Sequence, residues 1–333
     1  MAVLHLFNPE NDLALAADMA CYTPPPAAVR LRSRGALLPL WFASEGDLIM
    51  APPELEASAL RLRDEYGLSG EIFTADKLRE VDAVFPWGWS EDARRRFRNA
   101  GVPESLLPDD GLLRSYRNLS HRRTSVEVLR AVGWHSLPVE AHTLQEALAA
   151  IAGFGGRAFV KFPWSSSGRG VFDSSALSPA KLADTVSGCI RRQGSVMLEP
   201  VYEKERDFAM LFHCSAGKTE YHGLSCFDTR PGGAYSGNVI ASQEKLSAIV
   251  GIDLSDVRRK VERALDAVIA PHYTGPLGVD MMVARTGGGE RFVMPCVEVN
   301  LRYTMGFVAM AVARRCPSLS GALTTDDFLY VAD

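Results

Sequence analysis

A lysine followed by small polar residues is the first group in this sequence that could bind phosphate. Lys161 lies near the end of a predicted strand over residues 158–162, and the loop over residues 165–170 is rich in serine and glycine. An ammonium beside backbone N–H groups and hydroxyls can cradle phosphate oxygens. The loop lacks the Gly-Lys-Ser/Thr ending of a P-loop. A flexible connection, with a lysine that merely extends from a strand end, is the alternative.

Two later strands carry side chains that could hold a divalent cation. Asp280 lies in one predicted strand, and Glu298 and Asn300 lie in the next, over residues 291–300. Residues two apart in a strand share a face, so Glu298 and Asn300 point the same way, and Asp280 joins them if the strands pair as a hairpin. Such oxygen ligands suit Mg²⁺ that shares phosphate oxygens. The alternative is a solvated polar sheet face, and Pro295 requires an edge strand or a bulge.

A third group is acidic and follows another short strand. Glu199 precedes Pro200 and Val201, and Glu203 and Asp207 follow within a few residues. A carboxylate before a proline-stiffened connection could accept hydrogen bonds from a ribose or an amino group. An acidic surface loop is the alternative.

The elements that must position these groups differ along the chain. In the N-terminal third, apolar runs predict strands over residues 2–7, 37–42 and 83–85, and helical patterns predict helices over 54–66 and 90–99. Strands that alternate with helices favour βαβ units and a parallel sheet.

The rest of the chain predicts α+β structure. A helix is expected over residues 120–133, and Thr143 with Glu146 forms a capping box before a helix over 144–151. Ser178 before a proline starts another helix, and a further one begins at Ser255.

Composition limits the classes of protein that fit. The 333 residues carry a formal net charge of -4 and 47% hydrophobic residues, which excludes disordered, collagen-like and coiled-coil chains. There is no basic excess for nucleic acid or an anionic membrane, and no run has the length of a membrane helix or the pattern of a signal peptide, so a cytoplasmic protein is expected. The six scattered cysteines are expected to be buried free thiols.

The order of the three groups resembles the ATP-grasp superfamily over residues 116–310. The most specific match is the sequence from Glu298 to Arg302, Glu-Val-Asn-Leu-Arg. The resemblance implies an N-terminal Rossmann-like α/β domain (a pre-ATP-grasp domain) over 1–115, followed by a two-lobed ATP-grasp fold. The small lobe would cover 116–196 and the C-terminal lobe 197–333.

The resemblance also implies a role for individual residues. Lys161 would contact the α- and β-phosphates, and Arg302 would face the γ-phosphate or the activated substrate. Asp280, Glu298 and Asn300 would hold one or two Mg²⁺, with Mn²⁺ as an alternative ion. The other nucleotide contacts implied are the helix-start residue Arg122, the loop residues Ser166, Ser167, Gly168, Arg169 and Gly170, the adenine hinge from Glu199 to Val201, and Asp207 or Glu203 at the ribose. Arg122, where many relatives have lysine, and the serines, where glycines are commoner, depart from the family pattern.

The N-terminal domain offers two candidate substrate segments. Residues 8–12 follow the first strand, where a parallel sheet usually places a ligand loop, although Asn8 could instead cap a helix that begins at Pro9. Trp87 and Trp89 follow a later strand and could stack on a substrate or simply pack. The glycine-rich connection over residues 230–238 is a candidate second lid or acceptor site.

The resemblance implies an ATP- and Mg-dependent ligase that joins a carboxylate to an amine through an acylphosphate. The expected partners are therefore ATP and two small molecules, with no nucleic acid and no membrane. A small-molecule kinase on the same fold and a non-catalytic nucleotide-binding protein are the alternatives. The sequence names neither the substrates nor the oligomeric state.

Overall fold

The computed structural model describes residues 1–165, 170–229, 235–324 and 330–331. The strands in these ranges are β1 (Ala2–Leu6), β2 (Leu48–Ile49), β3 (Glu71–Ile72), β4 (Val81–Pro86), β5 (Val139–Ala141), β6 (Ala158–Lys161), β7 (Val171–Asp173), β8 (Val196–Pro200), β9 (Glu203–Ser215), β10 (Lys218–Thr229), β11 (Tyr235–Ile240), β12 (Gly275–Arg285), β13 (Arg291–Asn300), β14 (Gly321–Thr324) and β15 (Tyr330–Val331). The helices are α1 (Asn11–Ala17), α2 (Pro26–Arg34), α3 (Glu56–Tyr66), α4 (Glu91–Asn99), α5 (Asp110–Leu119), α6 (Arg123–Val132), α7 (Leu144–Gly153), α8 (Pro179–Gln193), α9 (Gln243–Val250), α10 (Ser255–Val268) and α11 (Met305–Arg315).

The chain forms two compact units, and the first is discontinuous. Unit 1 combines Met1–Asn118, Asn238–Lys245 and the described residues from Arg302 onward, whereas unit 2 combines the described parts of Leu119–Gly237 and Leu246–Leu301. The final segment belongs to unit 1 because α11 is apolar: Val308 and Val312 are buried in one core with Phe7 and Trp87. The sequence placed this segment in a C-terminal lobe, and the boundaries at 115 and 196 stay predictions.

Unit 1 is built on the expected parallel sheet. Its strand order is β3-β2-β1-β4, and every pair is parallel. Leu4 and Leu6 of β1 pack with Phe97 of α4 in one core, and Phe7 lies in the core shared with α11. Since β1 and β4 are parallel neighbours, the segments after them leave the same edge of the sheet.

The strand predicted over residues 37–42 is wrong. Leu38–Trp41 forms a 3-10 helix with Pro39 in its first turn, and all four of its residues are buried. Proline has no N–H for a strand ladder, and its fixed φ suits a helical start. A continuous apolar run can be a buried helical turn as readily as a strand.

Unit 2 contains a small antiparallel sheet of order β5-β8-β6-β7. One face packs on α7 and α8, where Val160 and Leu198 meet Ala147 and Val186. Side chains alternate along a strand, so the neighbours of Val160 and Leu198 point to the other face. That face carries Lys161 and Glu199.

The larger sheet of unit 2 is antiparallel in the order β13-β12-β9-β10, with β11 next. Helices α6 and α10 pack on each other and on β13. The predicted hairpin of β12 and β13 is confirmed. Pro295 was expected to require an edge strand or a bulge, and both are present. Strand β13 is the edge strand of this sheet. Its register with β12 shifts between Asp280 and Met282, which marks an irregularity of the bulge type.

All six cysteines are free thiols, as expected. Four are buried, Cys316 is half-buried and Cys21 is exposed, so the expectation of burial is wrong for Cys21. Across the described ranges, we find no helix with both the length and the apolar character that a membrane crossing needs.

Candidate functional site

Lys161 and Glu199 form a buried ion pair on the open face of the small sheet. In the antiparallel pairing of β6 with β8, Phe159 lies opposite Glu199, and Lys161 is two residues further along on the same face. The Lys161 ammonium donates to the Glu199 carboxylate, and Lys161 is only 6% exposed. The carboxylate therefore keeps a cation in place at the end of β6.

The loop after β6 begins and ends at well-defined residues. The Phe162 amide donates to the Gly170 carbonyl over 2.8 Å, which closes the base of the loop. Gly170 has φ +75°, and a Cβ there would come within 2.8 Å of the Phe162 ring, so only glycine fits. Ser166, Ser167, Gly168 and Arg169 lie outside the described residues.

Asp280, Glu298 and Asn300 share one face of the larger sheet. Asp280 lies opposite Glu298 in the register of β12 with β13, and Asn300 is two residues further along. The Asn300 amide donates to the Asp280 carboxylate over 3.0 Å. Among the described residues no three His, Cys, Asp or Glu side chains converge as a metal site. Two carboxylates and one amide do fit a Mg²⁺ that takes other ligands from phosphate and water.

Arg122 connects the two sheets through its guanidinium. It is the residue just before α6 and is 7% exposed. Its Nη1 pairs with Glu298 Oε2 at 2.8 Å, its Nη2 donates to Ser165 Oγ at 3.0 Å, and its Nε donates to the Phe162 carbonyl at 3.0 Å. Sequence reasoning selected Arg122 and Glu298 separately and missed that they pair.

The buried Cys296 thiol is influenced by charged groups of both sheets. Burial raises the pKa of the Cys296 thiol to about 12, and a hydrogen bond with Ser125 opposes the shift. The charges of Asp280 and Glu199 raise this pKa further, and the Lys161 charge lowers it. The pKa of this thiol is therefore shifted by charged groups from both sheets of unit 2.

The predicted adenine hinge lies beside an aromatic cluster that the sequence did not reveal. Val201 and Tyr202 are the two half-buried residues between β8 and β9. Tyr202 meets the Phe292 ring edge-on at 5.4 Å, and Trp134 stacks on Phe292 at 5.9 Å. Tyr202 Oη and Trp134 Nε1 are buried and have no hydrogen-bond partner in the described part of the chain.

The two ribose candidates differ in their surroundings. Asp207 accepts a hydrogen bond from Thr229 Oγ1 over 2.8 Å and also pairs with Lys204. It is two residues from Ala209, which lies opposite Asp280, so Asp207 and Asp280 share a sheet face. Glu203 is exposed at the first position of β9.

Arg302 is a residue of unit 1, where it is paired with Asp12. Its Nη2 and Nε donate to Asp12 Oδ2 over 2.8 and 3.0 Å, and its backbone bridges to Gly88. A Cβ at Gly88 would come within 2.5 Å of the Asn11 side chain and 3.1 Å of Arg302 Cβ, so glycine lets both residues lie close to this backbone. The role of Arg302 at the γ-phosphate stays a prediction.

The residues after β1 and β4 meet at one edge of the unit 1 sheet. Asn8 Nδ2 donates to the Gly88 carbonyl over 2.9 Å, and α1 begins at Asn11 without a side-chain cap. The alternative in which Asn8 caps a helix from Pro9 is therefore wrong. Trp87 is buried against Phe7, with ring centroids 4.8 Å apart. Of the two roles expected for Trp87, the structure therefore shows packing.

Comparison with known proteins identifies the fold. No protein-family model matches this sequence, and no curated protein is similar enough in sequence to count as a relative. Biotin carboxylase from Campylobacter jejuni, solved with β-γ-ATP, has a TM-score of 0.52 at 13% identity and covers 99% of this chain and 72% of its own. N5-carboxyaminoimidazole synthetase from Staphylococcus aureus, complexed with ADP, has a TM-score of 0.50 at 12% identity. The match covers 91% of this chain and 71% of the synthetase.

A third structure agrees with these two. The biotin carboxylase domain of 2-oxoglutarate carboxylase from Hydrogenobacter thermophilus, solved with MgADP, ADP and bicarbonate, has a TM-score of 0.50 at 12% identity and covers 94% of this chain and 69% of its own. The chain has the ATP-grasp fold of these enzymes, with an N-terminal α/β parallel sheet. The expected fold class is confirmed.

Proposed function

We propose that this chain is an ATP- and Mg-dependent ligase that joins a carboxylate to an amine and releases ADP. The observation that carries the proposal is the link, through Arg122, between the end of β6 with its Lys161–Glu199 pair and Glu298, which lies opposite Asp280. A cation beside two carboxylates suits a metal-bound triphosphate better than a neutral ligand. The solved structures of this fold with ADP, β-γ-ATP or MgADP support the same nucleotide.

The reaction proposed has two balanced steps. A carboxylate oxygen bonds to the γ-phosphorus while the bond from that phosphorus to the β–γ bridging oxygen breaks, and ADP leaves. The amine nitrogen then bonds to the acyl carbon, loses a proton and expels phosphate. No protein nucleophile is needed, so the chain must mainly orient the substrates and offset negative charge.

The residues of this chain have distinct parts in that task. Lys161, held by Glu199, offsets charge on the α- and β-phosphates. Asp280, Glu298 and Asn300 would hold Mg²⁺ or Mn²⁺, which when bound neutralises further phosphate charge. Arg302 is proposed, on the sequence pattern, to act at the γ-phosphate or the activated substrate.

The hinge and the loops complete the proposed nucleotide site. Val201 and the two buried polar atoms without partners, Tyr202 Oη and Trp134 Nε1, suit a purine ring, which offers hydrogen-bond acceptors and a flat face. Asp207 or Glu203 is proposed for the ribose. The loop from Ser165 to Gly170 is proposed to cover the phosphates. Residues 230–234 of the second candidate lid lie outside the described residues.

Calorimetric titration with ADP and ATP, with and without Mg²⁺, tests the nucleotide site. Glu298→Ala should weaken Mg-dependent binding by about tenfold or more, because it removes a charged ligand. Glu290→Ala is the matched control, since Glu290 is an exposed glutamate at the turn of the same hairpin. Absence of nucleotide binding by the wild-type chain at millimolar concentration would refute the proposal.

ADP release with small carboxylates and amines then tests the reaction. A ligase should release ADP with both substrates and form an amide-type C–N bond. A stable phosphorylated product made without any amine would instead show a kinase.

A further inference from the structure

Two arginines of unit 1 converge on one buried carboxylate at the edge of the sheet where β1 and β4 end. Glu10 lies in the segment after β1 and is buried. Arg32 Nη1 from α2 and Arg96 Nη2 from α4 both donate to Glu10 Oε1 over 2.6 Å. Arg96 Nη2 also pairs with Oδ2 of the buried Asp92 at 2.8 Å. We call Arg32 and Arg96 the arginine clasp.

The arginine clasp lies at a place where parallel sheets commonly bind ligands. In the strand order β3-β2-β1-β4, the chain runs outward from β1 through β2 to β3 and then returns to β4 on the opposite side of β1. The direction of winding therefore reverses between β1 and β4. In open parallel sheets, ligands bind outside the carboxyl ends of the strands at such a switch point. Glu10 follows β1 there, and α4 with Arg96 follows β4.

The part of this cluster that faces solvent is cationic. The Arg32 and Arg96 side chains are 29% and 16% exposed, whereas the two carboxylates beneath them are only 1% and 2% exposed. The pair of Arg98 with Glu104, near the end of α4, has the opposite arrangement, because its glutamate is the more exposed partner. A ligand that approaches the arginine clasp therefore meets positive charge first.

Both guanidiniums keep donors for a further acceptor. An arginine often meets a carboxylate with two parallel N–H groups, one to each oxygen. Here each arginine uses a single nitrogen on Glu10, both take the same oxygen, and Glu10 Oε2 is buried with no hydrogen-bond partner in the described ranges. Nε and Nη2 of Arg32 have no partner among the residues that the structure describes, and neither do Nε and Nη1 of Arg96. Two such forks match the oxygens of a carboxylate or a phosphate.

We propose that the arginine clasp binds an anionic group, a carboxylate or a phosphate, on one of the two substrates of the proposed ligase. This inference rests on the proposed function and names a substrate class, a small molecule with an anionic group in addition to the group that reacts. A carboxylate held by two guanidiniums is a weaker nucleophile, so the bound anion serves for recognition. The buried carboxylates hold both guanidiniums in place before the substrate binds, which lowers the cost of ordering them.

Calorimetric titration of the full chain with inorganic phosphate and with succinate, without nucleotide and at fixed ionic strength, tests the inference. The wild type should bind at least one of these anions with a dissociation constant of about 1 mM or below. Arg32→Gln should weaken this binding by about tenfold, because a charged hydrogen-bond donor is lost while Glu10 keeps Arg96. Tighter binding of phosphate indicates a phosphorylated substrate, and tighter binding of succinate indicates a carboxylate-bearing one.

Arg98→Gln is the matched control. Arg98 lies on the same helix as Arg96 but pairs with an exposed glutamate, so its loss should leave the anion affinity unchanged. If Arg32→Gln does not fold, Arg32→Lys keeps the charge but loses the fork and should also weaken binding. Absence of anion binding by the wild type would overturn the inference. So would binding that is lost in Lys161→Met but kept in Arg32→Gln, because the anion would then lie in the nucleotide site.

Titration with ADP and Mg²⁺ separates this inference from the proposed function. ADP affinity should be the same in Arg32→Gln and the wild type, since Arg32 belongs to unit 1 and the proposed phosphate contacts of Lys161 belong to unit 2. A wild type that binds ADP but neither anion overturns this inference alone. A wild type that binds an anion through Arg32 but no nucleotide refutes the proposed function, and with it the assignment of the anion to a ligase substrate.

Discussion

Lys161 and Glu199 are charged side chains that the small sheet keeps almost out of water. Their side chains are 8% and 14% exposed. Such a pair gains little stability over apolar residues, but the loss of one partner leaves a buried charge without compensation. Because apolar residues would stabilise the fold equally well, we infer that this pair serves to bind a charged ligand.

Variants of this pair should separate stability from binding. Lys161→Met should lower the free energy of unfolding by about 3 kcal/mol, because Glu199 then stays buried alone. Lys161→Met combined with Glu199→Leu should recover most of that loss in urea unfolding, yet still bind ADP weakly in calorimetry. Lys181→Met, at an exposed position of α8, is the control for loss of a lysine. Recovery of ADP affinity in the double variant would contradict a role for Lys161 at the phosphates.

At the scale of elements, features that depend on neighbouring residues were predictable. Thr143 Oγ1 accepts from the Glu146 amide at 3.1 Å, as the capping box predicts, and the side chain of Ser178 caps α8. The strand predicted over 37–42 failed because an apolar run does not by itself distinguish a strand from a helical turn. The Asp12–Arg302 and Arg122–Glu298 pairs join residues far apart in the chain, and no local pattern reports such contacts.

The β6–β7 hairpin should make stability depend on pH through Asp173. A hydrogen bond from Arg157 is the main cause that lowers the pKa of Asp173 to about 2, although burial opposes it. A depressed folded-state pKa stabilises the protein above the unfolded value near 3.8, and this contribution is lost as the pH falls toward 2. Because Arg157 is largely exposed, we expect a contribution of about 1 kcal/mol.

Urea unfolding at pH 5 and at pH 2.5 measures this contribution. Asp173→Asn should lose about 1 kcal/mol less than the wild type between these two pH values. Asp184→Asn, an exposed position on α8, should behave as the wild type does. An equal loss in all three proteins would show that the Arg157 pair does not stabilise the hairpin.

At the scale of the whole molecule, the two units depend on different parts of the chain. The core around Phe7 and Trp87 in unit 1 is completed by Val308 and Val312 of α11, near the end of the described residues. The charged groups of the proposed nucleotide site, apart from Arg302, belong to unit 2. A defect in α11 should therefore damage unit 1 first.

Hydrogen exchange can detect this difference. Val312→Asp places a charge at a position that is 0% exposed, which should cost about 4 kcal/mol or more in unit 1. Amides of β1 and β4 should then exchange faster, while those of β9 and β12 keep their protection. Arg314→Asp, at an exposed position of the same helix, should change neither set. Faster exchange in both sets would show that the units unfold together.

The discontinuity of unit 1 also sets an order of events during synthesis. Residues 1–118 leave the ribosome with the apolar surface of Phe7 and Trp87 still uncovered, and the segment from Arg302 that covers it emerges only after all of unit 2. At roughly 5–20 residues per second this wait is on the order of ten seconds or more. Strands β5 to β10, β12 and β13 emerge within that interval, whereas β14 and β15 of the larger sheet follow it. The nascent first segment is thus the part of this chain that most needs a chaperone.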